Sequence, residues 1–196
     1  MKTYLTVAVA AILIGGSASA QHSAQKVNIG IKGGVNLTNI YTENSTKLDD
    51  KVGFNAGLLG HIHLTREIAL QPEITYSLQG AKFPNTGAKL NLGYINVPIL
   101  VQYMFDNGFR LQAGPQLGFL TTAKIKNASA TEDIKSNYKP VDFGLSAGIG
   151  YVQPSSGLGL DLRYNLGISD ITKSNLSKSA NRGAQLGIFY LFNHAK

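Results

Sequence analysis

The stretch VNIGIKGGVNL, residues 27–37, places an apolar side chain at nearly every second position. Successive side chains of a β-strand point to opposite faces, so this stretch predicts a strand with one apolar and one polar face. Seven further segments carry the same alternation and are predicted as strands: residues 52–64, 68–79, 94–105, 109–120, 141–152, 158–168 and 183–192.

The connections between these segments alternate between short and long. Short turns fall at residues 65–67, 106–108 and 153–157, and longer connections at 38–51, 80–93, 121–140 and 169–182. A chain that crosses a membrane repeatedly and needs only turns on one side produces this rhythm. We therefore predict an all-β fold, an eight-stranded antiparallel up-and-down transmembrane β-barrel, closed because an open edge in lipid would leave unpaired backbone groups. Both chain ends and the short turns are expected on the periplasmic side.

The first twenty residues are typical of a secretory signal peptide. Lys2 supplies a positive start, Leu5 to Ile14 is apolar, and Ala18-Ser19-Ala20 forms a cleavage site of small residues. The apolar run is too short to span a membrane as a helix. We expect residues 1–20 to be removed and residues 21–196 to form one barrel domain in the bacterial outer membrane. The chain has no cysteine, which excludes disulfides and thiol catalysis.

The outward-facing aromatic residues of the predicted strands fall at two heights. Only Tyr164 lies near mid-height, whereas a soluble barrel has no reason to sort its aromatics in this way. Two rings are the girdles expected of a barrel whose outer surface contacts lipid and both interfaces. The lower ring comprises Tyr103, Phe105, Phe109, Tyr151, Tyr190 and Phe192, and the upper ring comprises Phe54, Tyr76, Phe119 and Phe143.

Six charged residues fall on the predicted inner face, and their charges cancel. An eight-stranded barrel is just wide enough inside for its own side chains. Buried charges are tolerated when they are paired, so we expect an ion-paired, filled lumen, with a narrow ion path as the alternative. The predicted network comprises Lys32, Arg110 and Arg163 against Glu73, Asp142 and Asp161.

Metal binding and catalysis have little support in the sequence. His61 and His63 lie two residues apart on one predicted strand and are a weak candidate metal pair near Glu73. A packed polar pair explains them as well. The long connections contain no histidine that could activate a serine, so no enzyme activity and no cofactor are predicted.

Three prolines, Pro72, Pro98 and Pro115, lie inside predicted strands, where each removes a ladder hydrogen bond. A closed barrel has no free edge at which to place them. We therefore expect a β-bulge at each proline.

The stretches around these prolines resemble the outer-membrane β-barrel family of Bacteroidetes, whose members are called porin-family or PorT-like proteins. They read LQPEITYSLQG (70–80), YINVPILVQY (94–103) and LQAGP (111–115). The last strand, with Gln185, Gly187, Tyr190 and Phe192, is similar to the C-terminal signal read by the outer-membrane insertion machinery, although four residues follow its final aromatic. The resemblance implies a barrel inserted by that machinery and leaves its activity open.

The net charge of +7 lies largely in the long connections. A basic rim would favour anionic headgroups of an outer leaflet, although solvated loops with spare lysines explain the charge equally well. The lysines are scattered and the aromatics belong to strands, which argues against nucleic acid. The sequence favours a structural or interaction role in outer-membrane lipid, with an unknown partner at the loops and at most narrow solute passage. A PorT-like role in secretion is one alternative. A soluble lipocalin-like binder is another, but it needs an apolar inner face.

Overall fold

The computed structural model describes residues 27–43, 48–84, 86–174 and 177–192. The signal peptide predicted at residues 1–20 and the start of the domain at residue 21 lie outside these ranges. No helix in the described ranges is long and apolar enough to cross a membrane.

Eight long strands form the wall of the molecule, and a ninth, short strand lies beside them. The strands are β1 (Val27–Thr42), β2 (Lys51–His63), β3 (Ile68–Lys82), β4 (Lys89–Met104), β5 (Phe109–Lys126), β6 (Thr131–Asp133), β7 (Val141–Val152), β8 (Leu158–Gly167) and β9 (Ser179–Leu191). Each long strand pairs antiparallel with its neighbour, and β1 pairs with β9. The ring is therefore closed, which confirms the predicted eight-stranded up-and-down barrel.

The alternation in the sequence sets the two faces of this wall. In β1, Ile29 and Val35 point outward and are 60% and 53% exposed, whereas Asn28 and Lys32 point inward and are buried. The same division holds in the other long strands, so the barrel has an apolar exterior and a polar middle. A soluble lipocalin-like binder, which requires the opposite arrangement, is not favoured.

The strands extend further at the long-loop end than the sequence predicted. β4 begins at Lys89 and β5 ends at Lys126, inside the segments predicted as loops. The prediction ended each strand where the apolar alternation ended. Pairing continues because backbone hydrogen bonds do not require apolar side chains, and the extensions carry polar and charged residues on their outer face. We call this end of the barrel the upper end.

The predicted bulges at the three prolines are wrong. The β2–β3 pairing stops at Leu59–Glu73 and resumes at Ile62–Leu70 in the same register around Pro72. Pro98 and Pro115 likewise interrupt the ladder without shifting it. Each missing N–H is accommodated by a local opening of the ladder. The register shift in the wall lies between Gly93 and Tyr94 in β4, where β5 holds one extra residue.

Candidate functional site

Four charged side chains meet at the centre of the barrel. Lys32 comes from β1, Glu73 from β3, and Asp161 and Arg163 from β8, where their spacing of two residues places both on the inner face. Each side chain is at most 2% exposed. Two positive and two negative groups give a cluster with no net charge, which we call the lumen cluster.

The geometry of the lumen cluster satisfies most of its charged atoms. Arg163 donates from Nη1 to Glu73 Oε2 at 2.8 Å and from Nη2 to Glu73 Oε1 at 2.7 Å. Lys32 Nζ lies 3.2 Å from Glu73 Oε2 and 3.0 Å from Asp161 Oδ2. Arg163 Nη2 also lies 3.1 Å from Asp161 Oδ2. Two-point contact between a guanidinium and a carboxylate is the strongest form of such pairing and fixes both groups in place.

Glutamine side chains extend this cluster across the lumen. Gln71 donates to Glu73 Oε1 at 2.7 Å, and Arg163 donates to Gln112 Oε1 at 3.3 Å. Gln102 also donates to Gln112 Oε1, at 2.9 Å. Because these side chains come from β3, β4, β5 and β8, the network bonds both sides of the barrel to each other.

Two of the six predicted network residues lie outside the lumen cluster, which corrects the sequence prediction. Arg110 donates to Gln102 Oε1 at 3.3 Å and lies 5.8 Å from the Phe189 ring centroid, without an ion pair to any described residue. Asp142 lies near the upper end, where it accepts hydrogen bonds from Ser169 and Asn181. The sequence prediction sorted these charges by face and did not compare their heights. Arg110 follows a short turn and Asp142 follows a long connection, and charges at opposite ends of a lumen do not meet.

A layer of amide and hydroxyl groups lies above the lumen cluster. Asn55 donates to Asn36 Oδ1 at 2.7 Å, and Asn36 donates to Ser77 Oγ at 2.9 Å. The cavity beside this layer has about 20 Å³ of free space. That volume holds roughly one water molecule.

Buried apolar clusters lie at both ends of the polar interior. At the lower end, Leu59, Val152, Phe189 and Leu191 are buried against one another. At the upper end the inner face becomes apolar, and residues from the strand extensions pack with loop residues into what we call the cap. Its buried members are Ile40, Ala81, Leu90, Leu92, Tyr94, Leu120, Ala123 and Ile171, with Leu48, Phe83, Ile125, Ile134 and Tyr138 packed against them.

The cap was missed in the sequence because all of its residues except Tyr94 and Leu120 lie in segments predicted as loops. Hydrogen bonds order these segments: β6 pairs with the end of β5, Tyr138 pairs with Thr172, and Lys139 Nζ lies 2.7 Å from Asp170 Oδ2. One sequence pattern could have predicted the strand extension: Leu90 and Leu92 continue the alternation of apolar residues before Tyr94.

The predicted histidine pair lies inside β2 near the lower end. The rings of His61 and His63 are edge to face, with centroids 4.5 Å apart. Within the described ranges, no three His, Cys, Asp or Glu side chains are grouped as metal ligands. The arrangement is that of two packed rings.

The ten predicted girdle residues all lie on the outer surface of the barrel. Near the lower end the rings pair edge to face, with centroids 5.0 Å apart for Tyr103 and Phe105 and 5.4 Å apart for Tyr190 and Phe192. Near the upper end, Phe54 and Tyr76 are 6.3 Å apart. Tyr41 was missed, because it lies in a predicted loop. It is exposed near the upper end, beneath the Arg182 guanidinium at 4.0 Å. The full set is Phe54, Tyr76, Tyr103, Phe105, Phe109, Phe119, Phe143, Tyr151, Tyr190 and Phe192.

The predicted C-terminal signal lies in β9. Tyr190 and Phe192 point outward, whereas Gln185 and Gly187 lie on the inner face. A Cβ atom on Gly187 would lie 2.9 Å from Asp161 Oδ1. Because Gly187 has no side chain, it makes room for Asp161 in the lumen cluster.

The chain also matches a known family in sequence. Residues 19–173 match the family described as outer membrane protein beta-barrel domain. The chain belongs to this family. It is an outer-membrane β-barrel protein, and the family places it in the bacterial outer membrane. A comparison with curated proteins finds no sequence match.

Solved structures of outer-membrane barrels share the fold. Neisserial surface protein A (NspA) superposes with a TM-score of 0.60 at 15% identity, covering 86% of this chain and 100% of that one. Ail, the attachment invasion locus protein of Yersinia pestis, gives 0.54 at 16% identity, covering 85% and 99%. At these identities the similarity concerns the fold alone.

Proposed function

We propose that this outer-membrane barrel is a sealed structural and interaction protein whose folded cap faces outward from the cell. The observation that carries the proposal is the filled interior. The lumen cluster occupies the centre, and buried apolar clusters lie at the lower and upper ends. Side chains that are paired and packed in this way do not conduct ions, since movement of a charge would require the pairs to break.

Planar-bilayer recording of the refolded protein tests the sealed lumen. The expected trace shows no stable conductance steps over a range of voltages. Stable steps of large conductance would overturn the proposal, because they would require a continuous aqueous path. Heat-modifiable mobility on a gel establishes that the same preparation contains the closed barrel.

The outward orientation of the cap is supported by the arrangement of connections. The short turns, the start of β1 and the end of β9 share the lower end, which in barrels of this class is the periplasmic side. Labelling of surface amines on intact cells distinguishes the two ends. We expect modification of Lys135 in the upper loops of intact cells, and protection of Lys135 until the cells are opened would overturn the orientation.

We also infer that the chain is exported and inserted by the usual route. Residues 1–20 support cleavage of a signal peptide, and the pattern Gln185, Gly187, Tyr190 and Phe192 supports recognition by the insertion machinery. Mass spectrometry of the mature protein tests cleavage after Ala20. Substitution of Phe192 by Ala tests the insertion signal, with reduced barrel in the membrane fraction as the expected result.

The Bacteroidetes-type assignment rests on the stretches around the three prolines. The same stretches carry the resemblance to PorT-like proteins, but no contact in the structure favours a role in secretion. A deletion strain with unaltered secreted proteins would argue against such a role, and a loss of secreted proteins would contradict the purely structural assignment.

A further inference from the structure

Three lysines form a row across neighbouring strands near the upper end. Lys82 on β3 lies opposite Lys89 on β4, and Lys89 lies opposite Lys126 on β5. All three lie at outward-facing positions of their strands. Opposite residues in antiparallel strands have Cβ atoms roughly 4.5–5.5 Å apart, and like charges at this distance repel. The fold therefore holds three like charges together on its outer surface, in what we call the lysine row.

Three acidic residues lie beside the lysine row. Asp49 lies opposite Lys82, Asp133 lies opposite Lys124, and Glu132 lies opposite Ile125, between Lys124 and Lys126. Among the described residues, none of these four lysines is within ion-pair distance of a carboxylate. An anion placed against the row would relieve the repulsion that the strand register imposes.

The height of the row indicates which anion it meets. Lys82 lies six residues above Tyr76 on β3, and Lys89 lies six residues before Ile95 on β4, which is opposite Tyr76. Six residues of tilted strand rise by roughly 15 Å. The headgroup layer of a phospholipid leaflet is only about 5–8 Å thick. The row therefore stands above such a layer, on the same outer face that contacts lipid below it.

We propose that the lysine row binds phosphate groups on the saccharide headgroup of an outer-leaflet glycolipid. A large phosphorylated headgroup reaches the height of the row, and the long lysine side chains can bend toward the membrane along the outer face of the strand extensions. The inference rests on the proposed outward orientation of the cap. It is independent of whether the lumen conducts.

Binding of the full-length refolded barrel to purified lipids tests the proposal. The probes are a phosphorylated bacterial glycolipid, the same glycolipid after removal of its phosphates, and phosphatidylglycerol. The test variant is K82Q/K89Q/K126Q. The control K135Q/K173Q/K178Q removes the same charge from exposed loop lysines, and K82R/K89R/K126R keeps the charge of the row.

We expect the test variant to bind the phosphorylated glycolipid about tenfold more weakly than wild type, with a reduced dependence on salt. The loop control and the arginine variant should stay within about twofold of wild type. Equal binding by the test variant and wild type would overturn the proposal. Equal affinity of wild type for the dephosphorylated glycolipid, or a preference for phosphatidylglycerol, would overturn it as well.

Gel mobility of each variant shows whether its barrel is closed. If the glutamine variant does not fold, the comparison of the three lipids with the wild-type barrel still tests the proposal. A conducting wild-type lumen would overturn the proposed function and leave these binding results unaffected. Weak glycolipid binding by a sealed barrel would overturn only the lysine row.

Discussion

Arg163 and Glu73 face each other across the lumen and are joined by two hydrogen bonds of 2.7 and 2.8 Å. They belong to β8 and β3, which lie on opposite sides of the eight-membered ring. No backbone ladder connects these two strands. The pair is therefore a direct bond across the barrel, and it opposes flattening of the wall.

Replacement of Glu73 by Gln should strongly destabilise the barrel. The change leaves Lys32 and Arg163 buried with only Asp161 as a carboxylate partner. Loss of one partner of a buried pair costs about 3–5 kcal/mol. Urea unfolding of the barrel in lipid vesicles, followed by gel mobility, measures the change. Glu132→Gln, at an exposed position of the short strand β6, serves as the control and should be near neutral.

The double variant Glu73→Gln/Arg163→Met sharpens this test. It removes one charge of each sign, so it should be more stable than Glu73→Gln alone. A double variant that loses the sum of the two single losses would show that the pair acts as two independent residues.

Replacement of Gly187 by Ala should disturb the lumen cluster. The added Cβ would lie 2.9 Å from Asp161 Oδ1, which is closer than such contacts normally come. Overpacking of this kind costs about 1–3 kcal/mol. Gly33→Ala is the matched control, since the nearest atom to its added Cβ is 3.8 Å away. Comparable unfolding midpoints for the two variants would contradict the packing described for Gly187.

Replacement of Ile171 by Ala should loosen the cap while the barrel stays closed. Ile171 is fully buried in the cap, and truncation of a buried Ile costs about 2–5 kcal/mol. We expect faster trypsin cleavage at Lys173 and Lys178 and an unchanged gel mobility. Ile168→Ala provides the control, because Ile168 is 55% exposed. Unchanged cleavage in the Ile171 variant would mean that the loop is held by other contacts.

The carboxyl group of Asp170 should respond to pH only under strongly acidic conditions. Partial burial favours its neutral form, but hydrogen bonds from Lys139, Ser179 and Thr172 outweigh burial and hold the pKa of Asp170 well below its usual value of 3.8. Because the pKa is lowered in the folded state, these bonds stabilise the loop fully at any pH above that usual value. The stabilisation is lost as pH falls through the folded pKa.

Carboxyl chemical shifts of Asp170 across an acid titration measure this directly. Lys139→Gln should move the pKa of Asp170 upward, because it removes the first of the bonds that lower it. An unchanged titration in that variant would show that the donors of Thr172 and Ser179 set the pKa without Lys139.

The strands that cross the membrane could be predicted because their alternation of apolar and polar residues indicates a strand with two different faces. Residues such as Ile29 and Lys32 differ by an odd number of positions, so they must face opposite sides of a strand. The upper ends could not be predicted in the same way. There Lys89 and Leu90 still alternate, but the charged residue faces water and the apolar residue faces the cap. Because the prediction required apolar residues on the outer face, it assigned this segment to a loop.

The membership of the lumen cluster also needed the structure. Lys32, Glu73, Arg110, Asp142, Asp161 and Arg163 were all assigned to the inner face, yet four of them meet and two do not. Which of these side chains meet depends on the register of every strand around the ring. A shift of one residue in the pairing of a strand would move its side chains to the other face.

The sequence alone determined the all-β class, the eight crossings, the two faces of the wall and the polar character of the lumen. These properties follow from local periodicity, since odd and even positions of a strand face opposite sides whatever strands lie next to it. Only the tertiary structure decided that Arg163 reaches Glu73, that the cap closes the upper end and that three lysines form a row. Such contacts join residues distant in the chain, and the closed ring of paired strands is what brings them within bonding distance.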